Sequence, residues 1–188
     1  QELSNVLKGK ELQKQLGLTL ASTLKNEAGL AIRSMGPAPS RPVIRGLGSN
    51  RVLISEDGIK TVDLSATSPD HAVTIDPFSL SRIEVLRGPK VLTQTSTTIG
   101  GIVNVVREDI PEVLHDNITG QFGFFGESVN SGYLGFGRVE VPINPIGVKV
   151  EISHRKTNDL MTPKNKLKNS SSQNLNYNFA GSYILESG

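Results

Sequence analysis

The residues best suited to chemistry in this 188-residue chain are the neighbours Asp70 and His71. A carboxylate oxygen and a neutral imidazole nitrogen are both zinc ligands. The preceding Pro69 favours a loop that could bring both side chains to one ion. Two ligands do not complete a tetrahedral site, so the remaining ligands would have to come from elsewhere. The pair is equally compatible with an ordinary loop, in which the Asp caps a turn and the His is solvated.

The other two histidines, His115 and His154, stand in no catalytic motif. We expect His154 at an interface, because it shares the apolar face of an alternating segment, and His115 exposed in a junction. The three histidines do not match His-Glu-x-x-His, and no Gly-x-Ser-x-Gly turn marks a serine nucleophile. The chain has no Cys, which excludes disulfides, thiolate metal sites and cysteine nucleophiles. We therefore predict no enzymatic activity and no tightly bound cofactor.

The overall charge and hydropathy restrict the class of protein further. Twenty Lys and Arg against 18 Asp and Glu give a net charge of +2, which offers no argument for nucleic-acid binding. No apolar run approaches the roughly 20 residues that a membrane-spanning helix needs. The start, Gln1-Glu2-Leu3-Ser4, lacks the features of a secretory signal. These observations leave a cytosolic protein or a processed piece of a larger one, and the patterns below favour the piece.

The elements that position these residues change in character near Pro111, and the part before it predicts a small α+β domain over residues 1–110. Thr19 can cap a helix over residues 20–26 that ends at Gly29. Asp76-Pro77 is a second helix start, and Pro89 opens a third. Asp57-Gly58 marks a tight turn. The candidate strands are Pro42–Arg45, Arg51–Ser55, Arg82–Leu86 and Ile102–Val106.

Residues 111–188 instead alternate apolar and polar side chains with period two, which indicates about four antiparallel strands. The alternation is clear in Val148–Ser153, in Gln173–Leu185 and around Phe122. In Tyr133–Val141 the apolar face changes midway or a bulge intervenes. Such strands suit a transmembrane β-barrel wall and equally a soluble sheet with one wet face. Four strands cannot close a barrel, so a wall would be incomplete.

Four stretches in the first half form a pattern that is specific in order and spacing. They are Arg41–Gly46 (RPVIRG), Ser68–His71 (SPDH), Arg82–Pro89 (RIEVLRGP) and Ile99–Asn104 (IGGIVN). Together they resemble the plug domain of TonB-dependent outer-membrane receptors, with similarity from about residue 6 to residue 112. Around Ser68–His71 the sequence is most similar to receptors for metals, zinc in particular. After Gly88-Pro89 it departs from the family, because Val91–Thr95 (VLTQT) lacks the usual Tyr-Gly.

This resemblance implies a fold and a function for the whole chain. The first 110 residues would be the plug, an α+β domain with a small mixed sheet and short helices. Residues 111–188 would be the first four or so antiparallel strands of a truncated barrel that has about 22 strands when complete. The implied receptor lies in the outer membrane of a Gram-negative bacterium, with the plug facing the periplasm. Its partners would be outer-membrane lipid and TonB of the inner membrane, although no TonB box is recognisable in the chain.

The resemblance also assigns cargo and residue roles. The plug would gate uptake of a metal ion, zinc, or of a metal chelate, with siderophore or cobalamin as alternative cargo. Asp70 and His71 would contribute to the metal site. Arg45 and Arg87 would lock the plug to acids of the inner wall, with Glu84 as a possible local partner. The structural glycines would be Gly46, Gly88, Gly100 and Gly101.

The parity of the alternating strands predicts which side chains face lipid. Val148, Val150, Ile152, Leu175, Tyr177 and Phe179 would do so, and Lys149, Glu151, Asn174 and Asn176 would face the lumen. The short turn at Pro142–Gly147 would be periplasmic, and the loop at Lys156–Ser172 extracellular. A different class of protein remains open at this point: a stand-alone periplasmic plug-like module that binds a partner.

Overall fold

The computed structural model describes residues 4–61, 66–68, 73, 75–94, 98–107, 110–111 and 115–184. The chain divides into two compact units, Gln1–Arg107 with Lys168–Ser170 and Glu108–Leu167 with Ser171–Gly188. Each unit builds its own sheet structure. Among the described helices, none combines the length and the apolar composition needed to cross a membrane.

The described part of the first unit contains seven short strands. They are β1 (Ser4–Lys8), β2 (Leu30–Ser34), β3 (Ser40–Ile44), β4 (Val52–Glu56), β5 (Ile59–Lys60), β6 (Arg82–Leu86) and β7 (Gly101–Val106). Five of them form a mixed sheet in the order β1-β6-β7-β4-β5, and β2 pairs separately with β3. Of these seven strands, β4 and β7 run parallel, and the other pairs are antiparallel. The predicted mixed sheet of an α+β domain is thereby confirmed.

Short helices connect these strands: α1 (Gly9–Gln15), α2 (Leu20–Thr23) and α3 (Lys90–Gln94), with 3-10 turns at Ser49–Arg51 and Pro77–Ser79. Thr19 caps α2 as predicted, because its hydroxyl accepts from the Ser22 amide at 3.1 Å. The helix ends sooner than predicted, since the Leu24 amide already bonds to carbonyls both three and four residues back. Asp76 also caps as predicted, but the element that it begins is a single 3-10 turn.

Apolar side chains cover both faces of the mixed sheet. Val103 and Val105 of β7 belong to the larger core cluster, whereas Ile102 packs with Leu86 and Val91 in a second cluster. The nearly continuous apolar run of β7 predicts this arrangement, because a strand covered on both faces needs no polar side. The larger cluster consists of Leu7, Leu12, Leu20, Leu24, Ile44, Val52, Ile54, Val73, Ile75, Leu80, Ile83, Val85, Val103 and Val105.

The described part of the second unit is one antiparallel sheet of four long strands, which we call the wall sheet. Its strands are β8 (Thr119–Glu127), β9 (Gly132–Ile143), β10 (Ile146–Thr157) and β11 (Ser172–Tyr183). They lie in the order β11-β10-β9-β8, so consecutive strands are neighbours and the sheet is not closed. The β8–β9 turn and the long β10–β11 loop lie at one end, and the two-residue β9–β10 turn at the other. This confirms the predicted set of antiparallel strands.

Strand β9 settles the ambiguous segment Tyr133–Val141. Its pairing with β8 and β10 is unbroken, so the bulge considered as one alternative is wrong. The other alternative is correct, because the apolar side chains change face midway. Leu134, at 1% exposure, shares a face with Arg138, whereas Val139 lies on the opposite face.

Candidate functional sites

The proposed metal ligands Asp70 and His71 lie outside the described residues, so their role stays a prediction. Among the residues that the structure does describe, no group of three His, Asp or Glu side chains could hold a metal ion. His115 is exposed as predicted, and its Nε2 lies 3.6 Å from Oε2 of Glu140.

Arg87 follows β6 directly, and the structure buries it to 9% exposure. Its Nη1 donates a hydrogen bond to the carbonyl oxygen of Ala28. Its Nε and Nη2 have no hydrogen-bond partner among the described residues. Burying a guanidinium with two unsatisfied N–H donors costs free energy unless an acceptor is supplied.

The Arg45 side chain is exposed, and its backbone adopts the left-handed region with φ of 50°. Its amide donates to the carbonyl oxygen of Gly29 at 3.0 Å. Arg45 and Arg87, 42 positions apart in the sequence, therefore both bond to the Ala28-Gly29 peptide segment, one through its backbone and one through its side chain. Gly29 permits this, because a Cβ there would lie 3.1 Å from Nη1 of Arg87.

Glu84 makes its side-chain contacts with residues other than Arg45 and Arg87. Its Oε1 accepts from Nε of Arg82 at 2.8 Å, and its Oε2 accepts from Nδ2 of Asn104 at 3.0 Å. The Asn104 hydrogen bond, followed by the Arg82 contact, lowers the pKa of Glu84 below its usual value. Oδ1 of Asn104 accepts from Ser55 and from the Gly58 amide, so this network joins β4, β6 and β7.

Close approach explains the glycine pair at the start of β7. A Cβ on Gly101 would lie 2.5 Å from Cδ1 of Ile44 and 2.9 Å from the Leu86 carbonyl oxygen. A Cβ on Gly100 would lie 2.5 Å from the Arg51 carbonyl oxygen, which accepts from the Gly100 amide. The other two predicted glycines, Gly46 and Gly88, adopt φ of 80° and 77° in turns.

One face of the wall sheet, which we call the polar face, carries a row of bonded side chains across all four strands. The row pairs Gln121 with Arg138, Arg138 with Glu151 and Glu151 with Asn178. Glu151 also lies 3.1 Å from Nζ of Lys149. Lys149 is 2% exposed and Glu151 is 8% exposed, so the face carries buried charges that are paired.

The opposite, apolar face of the wall sheet is exposed. Phe122, Tyr177 and Phe179 are 91%, 82% and 73% exposed. Polar residues are therefore buried and large apolar residues exposed, the reverse of a sheet that packs on a water-soluble core. The predicted division into two faces is confirmed, and the six residues expected to face lipid all lie on this face.

Asn104 and Arg138 are two site residues that the sequence did not single out. Asn104 interrupts the apolar run of β7, and such an interruption is the signal that could have found it. Arg138 shares strand parity with Glu140 in an otherwise apolar segment, a weaker signal of a paired charge. Their partners, Glu84 and Glu151, come from other strands.

The comparisons with known proteins agree on one family. The family model described as the TonB-dependent receptor plug domain matches residues 3–102. The hemin receptor of Yersinia pestis is 30% identical over 112 residues, which are 58% of this chain and 16% of that protein. The vitamin B12 transporter of Vibrio vulnificus is 34% identical over 95 residues, which are 48% of this chain and 15% of that protein. The chain thus spans only about a sixth of the length of these relatives.

A solved structure, that of the copper transporter OprC, resembles the fold over nearly the entire chain. The TM-score is 0.76 at 18% sequence identity, and the match covers 97% of this chain and 28% of that one. At this identity the likeness concerns the fold alone. By their names, these three proteins are one receptor and two transporters.

Proposed function

Because the chain belongs to the TonB-dependent receptor plug-domain family, we propose that it forms part of an outer-membrane uptake receptor of a Gram-negative bacterium. Residues 1–110 would be the plug, and residues 111–188 the first four strands of the barrel. One observation carries the proposal: a family plug is followed by a sheet that buries its charges and exposes its aromatic side chains. A stand-alone periplasmic module would leave that apolar face in water, which favours aggregation.

The proposed cargo is a metal chelate. Hemin and vitamin B12, named in the relatives, are both metal complexes of large organic rings, and a siderophore complex belongs to the same chemical class. To test this, a strain lacking its own receptors would express the full-length receptor. We expect growth on hemin, cobalamin or a ferric siderophore as the limiting nutrient, and we expect that growth to require TonB. Equal growth without TonB, or growth on none of these nutrients, would contradict the proposal.

Zinc is the finer proposal for the cargo, and its support is the chemistry of Asp70 and His71. Zinc would be titrated into the full-length receptor and into the double variant Asp70→Ala, His71→Ala. A loss of affinity in the double variant is expected if the pair holds the metal. Asp57→Ala, in the turn after β4, is the matched control for loss of an acid. Equal zinc affinity in the wild type and the double variant would exclude this assignment.

The proposed lock between plug and barrel relies on Arg87 first. Its burial and its two nitrogens without a described acceptor support a role as a cation that binds a carboxylate. Arg45 is exposed and available for the same role, whereas Glu84 is engaged by Arg82 and Asn104. Replacing Arg87 with Met in the full-length receptor should increase leakage of a small antibiotic through the barrel, whereas Arg33→Met on the exposed strand β2 should not. Unchanged leakage in Arg87→Met would refute the lock.

A further inference from the structure

Within the described strands, the apolar face of the wall sheet carries a single charge. The face comprises the strand positions that share the parity of Val150: glycines, aliphatic and aromatic residues, then His154, Lys156 and Gln173. Among the strand positions that the structure describes on this face, Lys156 is the one Lys, Arg, Asp or Glu. The Lys156 side chain is exposed. The preceding residue, Arg155, has the opposite parity and therefore lies on the polar face.

Lys156 lies at a defined height on that face. It follows Ile146, at the opposite end of β10, by ten residues. At about 3.3 Å per residue the separation is about 33 Å along the strand. A strand tilt of about 40° reduces this to about 25 Å, which is the height of the apolar band of an outer-membrane barrel. Lys156 therefore marks one boundary of the band, and the uncharged residues Ile146, Ile143 and Tyr183 mark the other.

The neighbours of Lys156 are polar or amphipathic. In register, Tyr133 lies on one side and Gln173 on the other. The Tyr133 ring stacks on Phe124 at 6.2 Å and lies 5.7 Å from the His154 ring, whose Nε2 is 3.1 Å from Nε2 of Gln173. Aromatic residues with a polar tip favour the level of lipid headgroups. The row thus combines an ammonium, a phenol and an amide where the apolar surface ends.

We infer that the row Tyr133–Lys156–Gln173 binds the phosphate of an anionic lipid headgroup. The inference rests on the proposed function, because it requires the apolar face to contact a bilayer. The long stem of Lys156 can lie along the apolar surface while its ammonium reaches the phosphate. The phenol and the amide supply further donors. Charge complementarity selects an anionic headgroup, since no acid on this face neutralises the lysine within the described strands.

The experiment uses the full-length receptor in proteoliposomes, with a fluorophore on Leu175→Cys next to the row or on Tyr183→Cys at the opposite end. Brominated phosphatidylglycerol or brominated phosphatidylcholine quenches the fluorophore when it lies nearby. At Leu175→Cys we expect phosphatidylglycerol to be preferred about fivefold, the equivalent of about 1 kcal/mol for one cation near a charged lipid surface. At Tyr183→Cys we expect no preference.

The variants separate the headgroup site from the proposed function. Lys156→Gln should abolish the preference, and Lys156→Arg should keep it. Arg155→Gln removes the same charge one residue away on the other face and should change nothing. Quenching by both lipids without preference, or a preference that survives Lys156→Gln, would overturn the headgroup site and leave the receptor assignment intact. Absence of quenching at both positions would overturn the bilayer contact, and the receptor assignment with it.

Discussion

Replacing Glu151 with Leu tests whether the buried charges of the wall sheet stabilise the fold only as pairs. The Glu151 carboxylate lies 3.1 Å from Nζ of Lys149 and 3.6 Å from Nη1 of Arg138, and it accepts from Nδ2 of Asn178 at 3.4 Å. The substitution removes the carboxylate that lies beside Lys149, a side chain at 2% exposure. A buried charge that loses its acid is strongly destabilising.

The expected magnitude follows from the burial of each partner. Breaking a buried ion pair costs about 3–5 kcal/mol. The lower value applies here, because Arg138 keeps its bond to Gln121 and is more exposed than Lys149. We therefore expect Glu151→Leu to lower the free energy of unfolding by about 3 kcal/mol. Removing both charges, in Lys149→Met with Glu151→Leu, should cost no more than about 1 kcal/mol, since apolar replacements of whole pairs are tolerated.

Urea unfolding of the full-length receptor, followed by the change in electrophoretic mobility of the folded barrel, measures these differences. Lys164→Met, on the exposed loop after β10, is the control for loss of a lysine and should change stability by less than about 0.5 kcal/mol. The coupling between Lys149 and Glu151 follows from the four-member cycle. If the loss in the double variant equals the sum of the losses in Glu151→Leu and Lys149→Met, the two charges are not coupled and the reasoning fails.

Two further predictions concern the mixed sheet of the first unit, and urea unfolding measures the change in stability in both cases. Gly101→Ala should lower the free energy of unfolding by about 1–3 kcal/mol, because the added methyl group would overlap Ile44. The control Gly58→Ala places its methyl group where no atom lies within 4 Å, so it should cost only backbone strain of about 1 kcal/mol. Equal losses in the two variants would contradict the packing argument. Glu84 has a pKa below its usual value of 4.5, so the stability that it contributes is present above that pH and is lost as the pH falls through the lowered pKa. Glu84→Gln should therefore be less stable than wild type at pH 6, with a difference that shrinks at pH 3; a difference independent of pH would refute the role of its bond to Asn104.

Local patterns predicted those elements whose signals lie within a few residues. Arg82–Leu86 was predicted with its correct bounds, and the Thr19 cap and the Asp57-Gly58 turn are present. The wall strands followed from period-two alternation, which needs only neighbouring residues to be read. Their two faces are as predicted because strand geometry fixes the side-chain direction once the strand is known.

Elements that depend on distant partners were missed. Strand β1 pairs with β6, about 80 residues later, and its five residues give no alternation that marks an edge strand. Helix α1 buries only Leu12, so its sequence lacks the apolar periodicity from which a helix is predicted. The hydrogen bond from Asn104 to Glu84 could likewise not be predicted, because Asn104 lies on another strand.

The sequence by itself determined the family, from four motifs in order, and the division of the wall strands into an apolar and a polar face. Only the tertiary structure decided that Arg87 is buried and bonded to Ala28, and that Glu84 accepts hydrogen bonds from Asn104 and Arg82. It also decided that Lys156 is the one charge on its face of the described strands. The physical reason is that side-chain periodicity is a property of one strand, whereas hydrogen bonds, ion pairs and burial require residues that the register of the sheets brings together.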